Sequence, residues 1–344
     1  MFWEVLNSVL LLLAGVGIFL VGIVKFSQFL QTNSNDKIRV LFQRMGNNRI
    51  AGFGIGMGAT TVIQSSTATT VIVVGLVNAG VMSFSQSTAV IFGANVGTAI
   101  SNMLLSLSAF RVKYFFMLLC FVGAIIKMFT SKERLNKLAD IFIAFGIIFI
   151  GLEVMSMAFR GDDNAFTNAV ENMLGAVSFP LLLILIGFAL TAVINSSTAA
   201  TAIFIALAAN GLLGFVDIMY LVIGSRLGTT ITTLIAAIPA SKSAKRAAIM
   251  HLLFNLLGTV IFLPIIWPFQ FVLAEFFENL IPDPIWQVSI FSLILNAATA
   301  LILLGFIRPL NSFVYWLVPE EAGRKKKKPQ PEEVLELGGF TDSF

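Results

Sequence analysis

The sequence predicts an all-α integral membrane protein made of two inverted-topology repeats, each with a re-entrant helical hairpin and a broken transmembrane helix. One observation is composition: the 344 residues are 57% apolar and only 12% charged, whereas soluble proteins carry about 25% charged residues. The other is an internal repeat. With an offset of 131 residues, Thr60–Ser101 aligns with Thr191–Thr232 without a gap, and sixteen of the 42 positions are identical. Such repeats define the architecture of a chain.

Seven segments are apolar over about the length that a membrane-spanning helix needs. They cover approximately residues 8–30, 86–108, 113–130, 138–158, 217–239, 247–267 and 286–307. The N-terminus lacks the basic region of a cleavable signal peptide, so the first segment is expected to remain as a span. Cys120 is the only cysteine, which excludes an intramolecular disulfide; we expect it to serve packing.

Two further apolar regions, about residues 50–82 and 178–212, are interrupted by a polar segment. The interruptions read Gln64-Ser65-Ser66-Thr67 and Asn195-Ser196-Ser197-Thr198. Each arm has about 12–15 residues, or roughly 20 Å of helix, which is too short to cross a bilayer comfortably. We therefore predict two re-entrant hairpins with their polar tips at membrane depth, lined by protein or by a water-filled cavity.

Basic residues set the predicted orientation, because they remain on the cytoplasmic side. Four clusters are placed inside: Lys37, Arg39, Arg44 and Arg49; Lys132, Arg134 and Lys137; Lys242, Lys245 and Arg246; Arg308 and Arg324–Lys328. The N-terminus then lies outside the plasma (inner) membrane and the C-terminus in the cytoplasm. The two hairpins enter from opposite faces, so the halves are inverted, as in secondary transporters.

The predicted transporter domain covers residues 1–310, with repeat 1 at about 8–130, repeat 2 at about 138–267 and an extra span at about 286–307. Residues 311–344 are predicted to be a disordered cytoplasmic tail, since prolines, consecutive lysines and acids replace the apolar pattern. An alternative role of the tail is binding to lipid headgroups or to a partner.

The hairpin tips are the first candidate for a binding site. Where one half-helix ends and another begins, free N–H groups suit an anion and free C=O groups suit a small cation. The tip hydroxyls and carboxamides both donate and accept hydrogen bonds. Helix–helix packing through small residues is the alternative, but recurrence of the segment in both halves favours a site for an oxyanion beside Na⁺.

A second repeated motif follows each hairpin: Gly93-Ala94-Asn95-Val96-Gly97-Thr98 and Gly224-Ser225-Arg226-Leu227-Gly228-Thr229. Two glycines within five residues weaken a helix by roughly 1 kcal/mol each. The motif predicts a broken helix whose released carbonyls bind Na⁺, with close helix packing as the alternative.

Three residues carry charge or titratable chemistry in the spans. Arg226 stands where the first half has Asn95, and a charge at mid-membrane is by default functional. It is expected either to form bidentate hydrogen bonds with a phosphate or carboxylate or to pair with Glu153. His251 is the only histidine and is expected to make a structural hydrogen bond rather than to transfer protons. One His and one Cys leave no set for a metal other than Na⁺, and neither enzymatic activity nor a nucleic-acid partner is expected.

These motifs, together with His251-x-x-Phe254-Asn255, resemble the type II sodium/phosphate cotransporters over about residues 10–310. The resemblance implies symport of inorganic phosphate with Na⁺ as the coupling ion, no other cofactor, and a site formed by the two tips and the two glycine motifs. Asn195 and Arg226 depart from the family pattern of Gln and Asn, which leaves the sodium count and the anion open. Many bacterial members carry a PhoU-like regulatory domain, which is not expected here.

The predicted substrate-binding residues are Gln64, Ser65, Ser66, Thr67, Asn95, Asn195, Ser196, Ser197, Thr198 and Arg226. The predicted sodium-binding residues are Ser65, Ser66, Gly93, Gly97, Thr98, Ser196, Ser197, Gly224, Gly228 and Thr229. Phosphate, Na⁺ and the lipid bilayer are the expected partners. Four alternatives remain open from the sequence: a phosphate exporter, a transporter of another small anion, a channel, and a phosphate sensor that does not transport.

Overall fold

A computed structural model describes residues 2–32, 48–109, 113–130, 132–160, 164–176 and 179–319. This part of the chain is helical, without a strand. The helices are α1 (Phe2–Thr32), α2 (Arg49–Ile63), α3 (Ser66–Asn78), α4 (Phe84–Met103), α5 (Lys113–Phe129), α6 (Glu133–Met157), α7 (Ala165–Ala176), α8 (Pro180–Ile194), α9 (Ser197–Ala209), α10 (Phe215–Ala237), α11 (Lys242–Leu280), α12 (Pro284–Gly305) and α13 (Ile307–Leu317). The predictions for Lys37, Arg39, Arg44 and Arg324–Lys328 lie outside the described residues.

Six described helices are long and apolar enough to cross a membrane, namely α1, α4 with the 3₁₀ turn after it, α6, α10, α11 and α12. The seventh predicted span, 113–130, corresponds to α5, which has only 17 residues. At 1.5 Å per residue, α5 is about 25 Å long, and its 17 residues lie at the lower limit for a helix that spans a membrane. The sixth predicted span is longer than expected, because α11 continues through Pro264 and Pro268 for 39 residues.

The predicted broken helices are wrong. Both glycine motifs lie inside continuous helices, α4 and α10. The glycines serve close packing instead: a Cβ on Gly93 would lie 1.9 Å from the carbonyl oxygen of Phe53, and a Cβ on Gly224 would lie 1.9 Å from that of Ile184. The loss of helix propensity at glycine is offset by backbone contact between α2 and α4 and between α8 and α10.

The interruptions occur instead at the polar tips. Gln64 ends α2 in the left-handed region with φ 60°, and Asn195 ends α8 with φ 57°. The serine that follows each of them is extended and caps the next helix, α3 or α9. Asparagine is among the residues that adopt this conformation most readily, and the Gln64 side chain makes a local hydrogen bond to the carbonyl of Thr61. The sequence repeat is therefore matched by equal backbone geometry at both tips.

Two apolar clusters form the core. One contains buried residues of α1, α6, α8 and α9, and the other contains residues of α2, α3, α4 and α13. Helices α10, α11 and α12 contribute to both clusters. Each hairpin thus packs mainly in its own cluster, and the three shared helices join the two.

A helix crosses the boundary predicted at residue 310. Helix α13 runs from Ile307 to Leu317 and buries Asn311 and Val314, so the boundary predicted at 310 falls inside a packed helix. An apolar face is the reason that the segment folds onto the domain: Ile307 and Val314 are 2% and 0% exposed. The tail from residue 320 onward lies outside the described residues.

Candidate functional site

The two hairpin tips present equivalent helix starts. Ser65 Oγ accepts a hydrogen bond from the Ala68 N–H at 3.1 Å, and Ser196 Oγ accepts one from the Ala199 N–H at 3.2 Å. These serines are ordinary N-caps. The next serines, Ser66 and Ser197, are the first residues of α3 and α9, and their N–H groups have no acceptor within their own helix.

Ser66 and Ser197 line a common cavity of about 30 Å³. Its walls come from α3, α4, α9, α10 and α12. The lining residues are Ser66, Asn95, Thr98, Ala99, Asn102, Ser197, Thr201, Val222, Ser225, Arg226, Thr229, Ser292 and Asn296. A volume of this size has room for one or two water molecules. The cavity is therefore too small for a four-oxygen anion, which requires the helices around it to separate.

Arg226 supplies the positive charge of the cavity. Its side chain is buried, and one Nη donates to Thr299 Oγ1 at 3.3 Å. The Nε and the other Nη have no hydrogen-bond partner within the described residues. Its guanidinium carbon lies 5.7 Å from the ring centroid of Phe254, a cation–π contact. Unsatisfied donors on a buried cation favour an anion as the missing partner.

The predicted pair between Arg226 and Glu153 is not formed. Glu153 instead makes an ion pair with Arg160, with 2.7 Å between Oε1 and Nη. Among the described residues, no acidic one lines the cavity. The formal charge of the lining is therefore positive, and both helix starts add partial positive charge of the same sign.

A hydrogen-bonded chain holds Asn95, the residue equivalent to Arg226 in the first half. Asn95 Nδ2 donates to the carbonyl of Ile91 at 2.8 Å, and its Oδ1 accepts from Asn255 Nδ2 at 3.3 Å. Asn255 also donates to the carbonyl of His251 at 3.1 Å. His251 Nδ1 lies 3.2 Å from Thr233 Oγ1, which is the structural hydrogen bond that the sequence led us to expect.

Six of the predicted site residues line the cavity: Ser66, Asn95, Thr98, Ser197, Arg226 and Thr229. The other predicted residues are not among its lining: Gln64, Ser65, Thr67, Gly93, Gly97, Asn195, Ser196, Thr198, Gly224 and Gly228. The carboxamides of Gln64 and Asn195 have hydrogen-bond partners that do not line the cavity. Gln64 Nε2 donates to the Thr61 carbonyl at 2.6 Å, and Asn195 Oδ1 accepts from Thr232 Oγ1 at 2.6 Å.

Five polar lining residues escaped the sequence reasoning: Asn102, Thr201, Ser225, Ser292 and Asn296. Three of them follow another polar lining residue by four positions, as Asn102 follows Thr98, Thr201 follows Ser197 and Asn296 follows Ser292. This spacing places two polar side chains on one helix face and was the available signal. Asn102 Nδ2 donates to Thr201 Oγ1 at 3.2 Å, which joins the two halves, while Asn102 Oδ1 has no partner within the described residues.

A buried polar cavity between paired half-helices, inside a protein with several candidate membrane spans, is the kind of site that membrane transporters use. The sequence model of the Na⁺/Pi-cotransporter family matches residues 18–157 and 159–265, and the chain belongs to this family. It is a family of phosphate transporters, which agrees with the resemblance noted from the motifs.

Some curated relatives match most of the chain, and others match a short segment of it. YqeW of Bacillus subtilis, an uncharacterized protein, is 30% identical over 88% of this chain and 95% of its own length. The putative inorganic phosphate export protein YjbB of Escherichia coli is 28% identical over 92% of this chain, which spans 56% of YjbB. The sodium-dependent phosphate transport protein 2A of Ovis aries is 36% identical over 61 residues, or 18% of this chain and 10% of the relative. No solved structure matches.

Proposed function

We propose that this protein carries inorganic phosphate across the plasma membrane together with Na⁺, by alternating access around the central cavity. One observation carries the proposal: the first residues of two helices from different halves, Ser66 and Ser197, line one cavity with the buried Arg226. Helix N-termini bind anions through free N–H groups, and a guanidinium fork matches the geometry of phosphate oxygens. Membership of the family supports phosphate as the anion.

Two contacts support the proposal that the halves are inverted and that the hairpins are re-entrant. At the end of the first hairpin, Asn78 Oδ1 accepts a hydrogen bond from the Ser241 N–H at 2.8 Å, beyond the C-terminal end of α10. The second hairpin ends at Asn210, which leads directly into the N-terminal end of α10 and donates to Ser156 Oγ at 2.9 Å. The bases of the hairpins therefore lie near opposite ends of the same long helix.

In this proposal, side-chain oxygens coordinate Na⁺. Because α4 and α10 are unbroken, the carbonyls around Gly93, Gly97, Gly224 and Gly228 remain in helical hydrogen bonds. Oxygen atoms suit Na⁺ as a hard cation, and Asn102 Oδ1 is buried without a hydrogen-bond partner within the described residues. The hydroxyls of Thr98 and Thr201 belong to the same cavity lining. Na⁺ at these oxygens would bind first and add positive charge beside Arg226.

The transport cycle follows from the small size of the cavity. Na⁺ binds to the neutral oxygens of the lining and adds positive charge, and phosphate then binds to the helix starts and Arg226. Movement of one helical cluster against the other opens the cavity to alternate sides, as in other inverted-repeat transporters. Coupling between the two ligands is reciprocal, so Na⁺ must raise phosphate affinity by the factor by which phosphate raises Na⁺ affinity.

The test is uptake of ³²P-phosphate into proteoliposomes under an inward Na⁺ gradient, compared with an equal K⁺ gradient. Saturable uptake that depends on Na⁺ is expected for wild type. It should be lost in Ser66→Ala/Ser197→Ala and kept in the control Ser243→Ala, whose hydroxyl lies outside the cavity. Uptake that is equal in Na⁺ and K⁺, or that survives in the Ser66/Ser197 variant, contradicts the proposal.

Export of phosphate is the second candidate, because the relative YjbB is described as a putative phosphate exporter. The same cavity serves transport in either direction, so the direction depends on whether phosphate movement is coupled to the Na⁺ gradient. Proteoliposomes loaded with ³²P-phosphate and given no Na⁺ gradient distinguish the two. Fast efflux under this condition, with no concentrative uptake under an inward Na⁺ gradient, would favour the exporter.

A further inference from the structure

A second and larger cavity is lined by residues that do not line the proposed transport site. It measures about 510 Å³. Its walls come from the start of α2, the first turns of α4 and one face of α13. The volume lies within the range of about 300–1,000 Å³ that is usual for small-molecule sites.

The charge of this cavity is positive. Arg49 and Arg308 both line it, and no acidic residue of the described part of the chain does. Neither arginine makes an ion pair within the part of the chain that the structure describes. Their other neighbours in the lining include hydroxyls and amides, such as Ser85, Gln86 and Asn311. Two guanidinium groups with neutral donors around them form a site for a phosphate group rather than for a cation.

The α4 and α13 sides of this cavity are held together by hydrogen bonds and a ring contact. Asn311 Oδ1 accepts from Thr88 Oγ1 at 2.7 Å, and Asn311 Nδ2 donates to Ser85 Oγ at 3.3 Å. The Tyr315 ring packs edge-on against Phe84, with 5.2 Å between ring centroids. The guanidinium of Arg246 covers the Tyr315 ring at 4.3 Å from its centroid. A preformed wall lowers the entropy that a ligand loses on binding.

The surroundings of the cavity point to a lipid as the source of the phosphate. Helix α13 exposes Phe313 and Trp316, which are 46% and 74% accessible, on the side that does not pack on the domain. Aromatic side chains of this kind sit at headgroup level in a bilayer, and a short amphipathic helix with such residues lies in the interface. Arg308 on the same helix is then level with lipid phosphates.

We propose that this second cavity binds the phosphate group of an anionic phospholipid, with Arg49 and Arg308 as its binding residues. Basic pockets between helices near a membrane surface are suited to such headgroups. Free inorganic phosphate has the same chemistry, so the experiment must separate the two sources. The proposal does not depend on which solute the central cavity transports.

The test measures binding of short-chain phosphatidylglycerol to the purified full chain in a neutral detergent, with phosphatidylcholine of the same chain length as the comparison. Wild type is compared with Arg49→Gln/Arg308→Gln and with Lys132→Gln/Lys245→Gln, which removes two cations outside the cavity. All three proteins are first checked for equal thermal unfolding without lipid. Phosphatidylglycerol affinity is expected to fall at least tenfold in the arginine variant and to change less than threefold in the lysine control.

Equal phosphatidylglycerol affinity in the arginine variant and the lysine control overturns the proposal. A competition experiment with inorganic phosphate distinguishes the two sources. Its signal comes only from bound phosphatidylglycerol, so phosphate in the central cavity does not contribute to it. Millimolar inorganic phosphate is expected to leave phosphatidylglycerol bound. Displacement of the lipid by phosphate in wild type would overturn the lipid assignment in favour of free phosphate.

Discussion

At the scale of single residues, the difference between Asn95 and Arg226 is the main asymmetry between the halves. Both line the cavity at equivalent positions. The side-chain nitrogen and oxygen of Asn95 are hydrogen-bonded to Ile91 and Asn255. Arg226, in contrast, keeps two donor atoms without a partner within the described residues. The first half therefore offers a neutral, fixed wall, and the second half offers the charge that an anion needs.

Arg226→Gln tests this role. A hydrogen bond to a charged group contributes about 1.5–3 kcal/mol, so phosphate affinity should fall by roughly 10- to 150-fold. Isothermal titration of phosphate into the purified variant in Na⁺ measures the effect, with Lys245→Gln as the charge-matched control. Unchanged affinity in the arginine variant would show that Arg226 does not contact the anion.

The paired tip serines are expected to act differently although they are adjacent. Ser65→Ala removes an N-cap and should lower the free energy of unfolding by about 1 kcal/mol. Ser66→Ala leaves the cap in place and should lower phosphate affinity without a comparable loss of stability. Thermal unfolding and phosphate titration of both variants separate the two roles, and the reverse pattern would refute the assignment.

At the scale of helices, pairs of helices in close backbone contact position the site. Helix α2 packs on α4 and α8 packs on α10 through glycines that leave no room for a side chain. These contacts fix α4 and α10, which carry Asn95, Thr98, Asn102, Ser225, Arg226 and Thr229. The geometry of the cavity thus depends on packing at positions that do not touch it.

Gly93→Ala and Gly224→Ala should both destabilise the protein, because each new Cβ would lie 1.9 Å from a backbone carbonyl oxygen. Overpacking of this kind costs about 1–3 kcal/mol or more. Gly54→Ala and Gly58→Ala are the matched controls, since a Cβ at either position meets nothing within 4 Å. The controls should keep or gain up to about 1 kcal/mol. Equal unfolding temperatures in detergent for all four variants would contradict the packing account.

Much of the arrangement of the helices could be predicted from the sequence. The recurrence of Ser-Ser-Thr-Ala located both tips, and the residues that begin α3 and α9 lie where the repeat placed them. The glycine motifs were misread because a sequence shows the propensity cost of glycine but not the neighbouring backbone that offsets it. Ser292 and Asn296 were missed because α12 has no copy in the repeat, so no recurrence marked them.

At the scale of the whole molecule, the account requires two halves that face opposite sides of the membrane. Charge clusters predicted this arrangement, but several of the basic residues lie outside the described part of the chain. Asn78 contacts Ser241, beyond the C-terminal end of α10, and Asn210 shortly precedes the N-terminal end of α10 in sequence, so the hairpin bases lie near opposite ends of α10. The side of the membrane on which each hairpin base lies can be measured.

Single cysteines in a Cys120→Ala background provide that measurement. Val81→Cys lies at the base of the first hairpin and Gly214→Cys follows the second, and both positions are exposed. A membrane-impermeant maleimide should label Gly214→Cys from outside intact cells and Val81→Cys only after the cytoplasmic face is opened. Labelling of both cysteines from the same side would exclude the inverted arrangement.

The central claim is that both hairpin tips and Arg226 form one phosphate site whose affinity depends on Na⁺. The most direct measurement is equilibrium binding of phosphate to the purified protein, in Na⁺ and in K⁺ at equal ionic strength. The account predicts at least tenfold tighter binding in Na⁺, with most of that gain lost in Ser66→Ala/Ser197→Ala. Equal affinity in the two salts, or full affinity in the double variant, would contradict it.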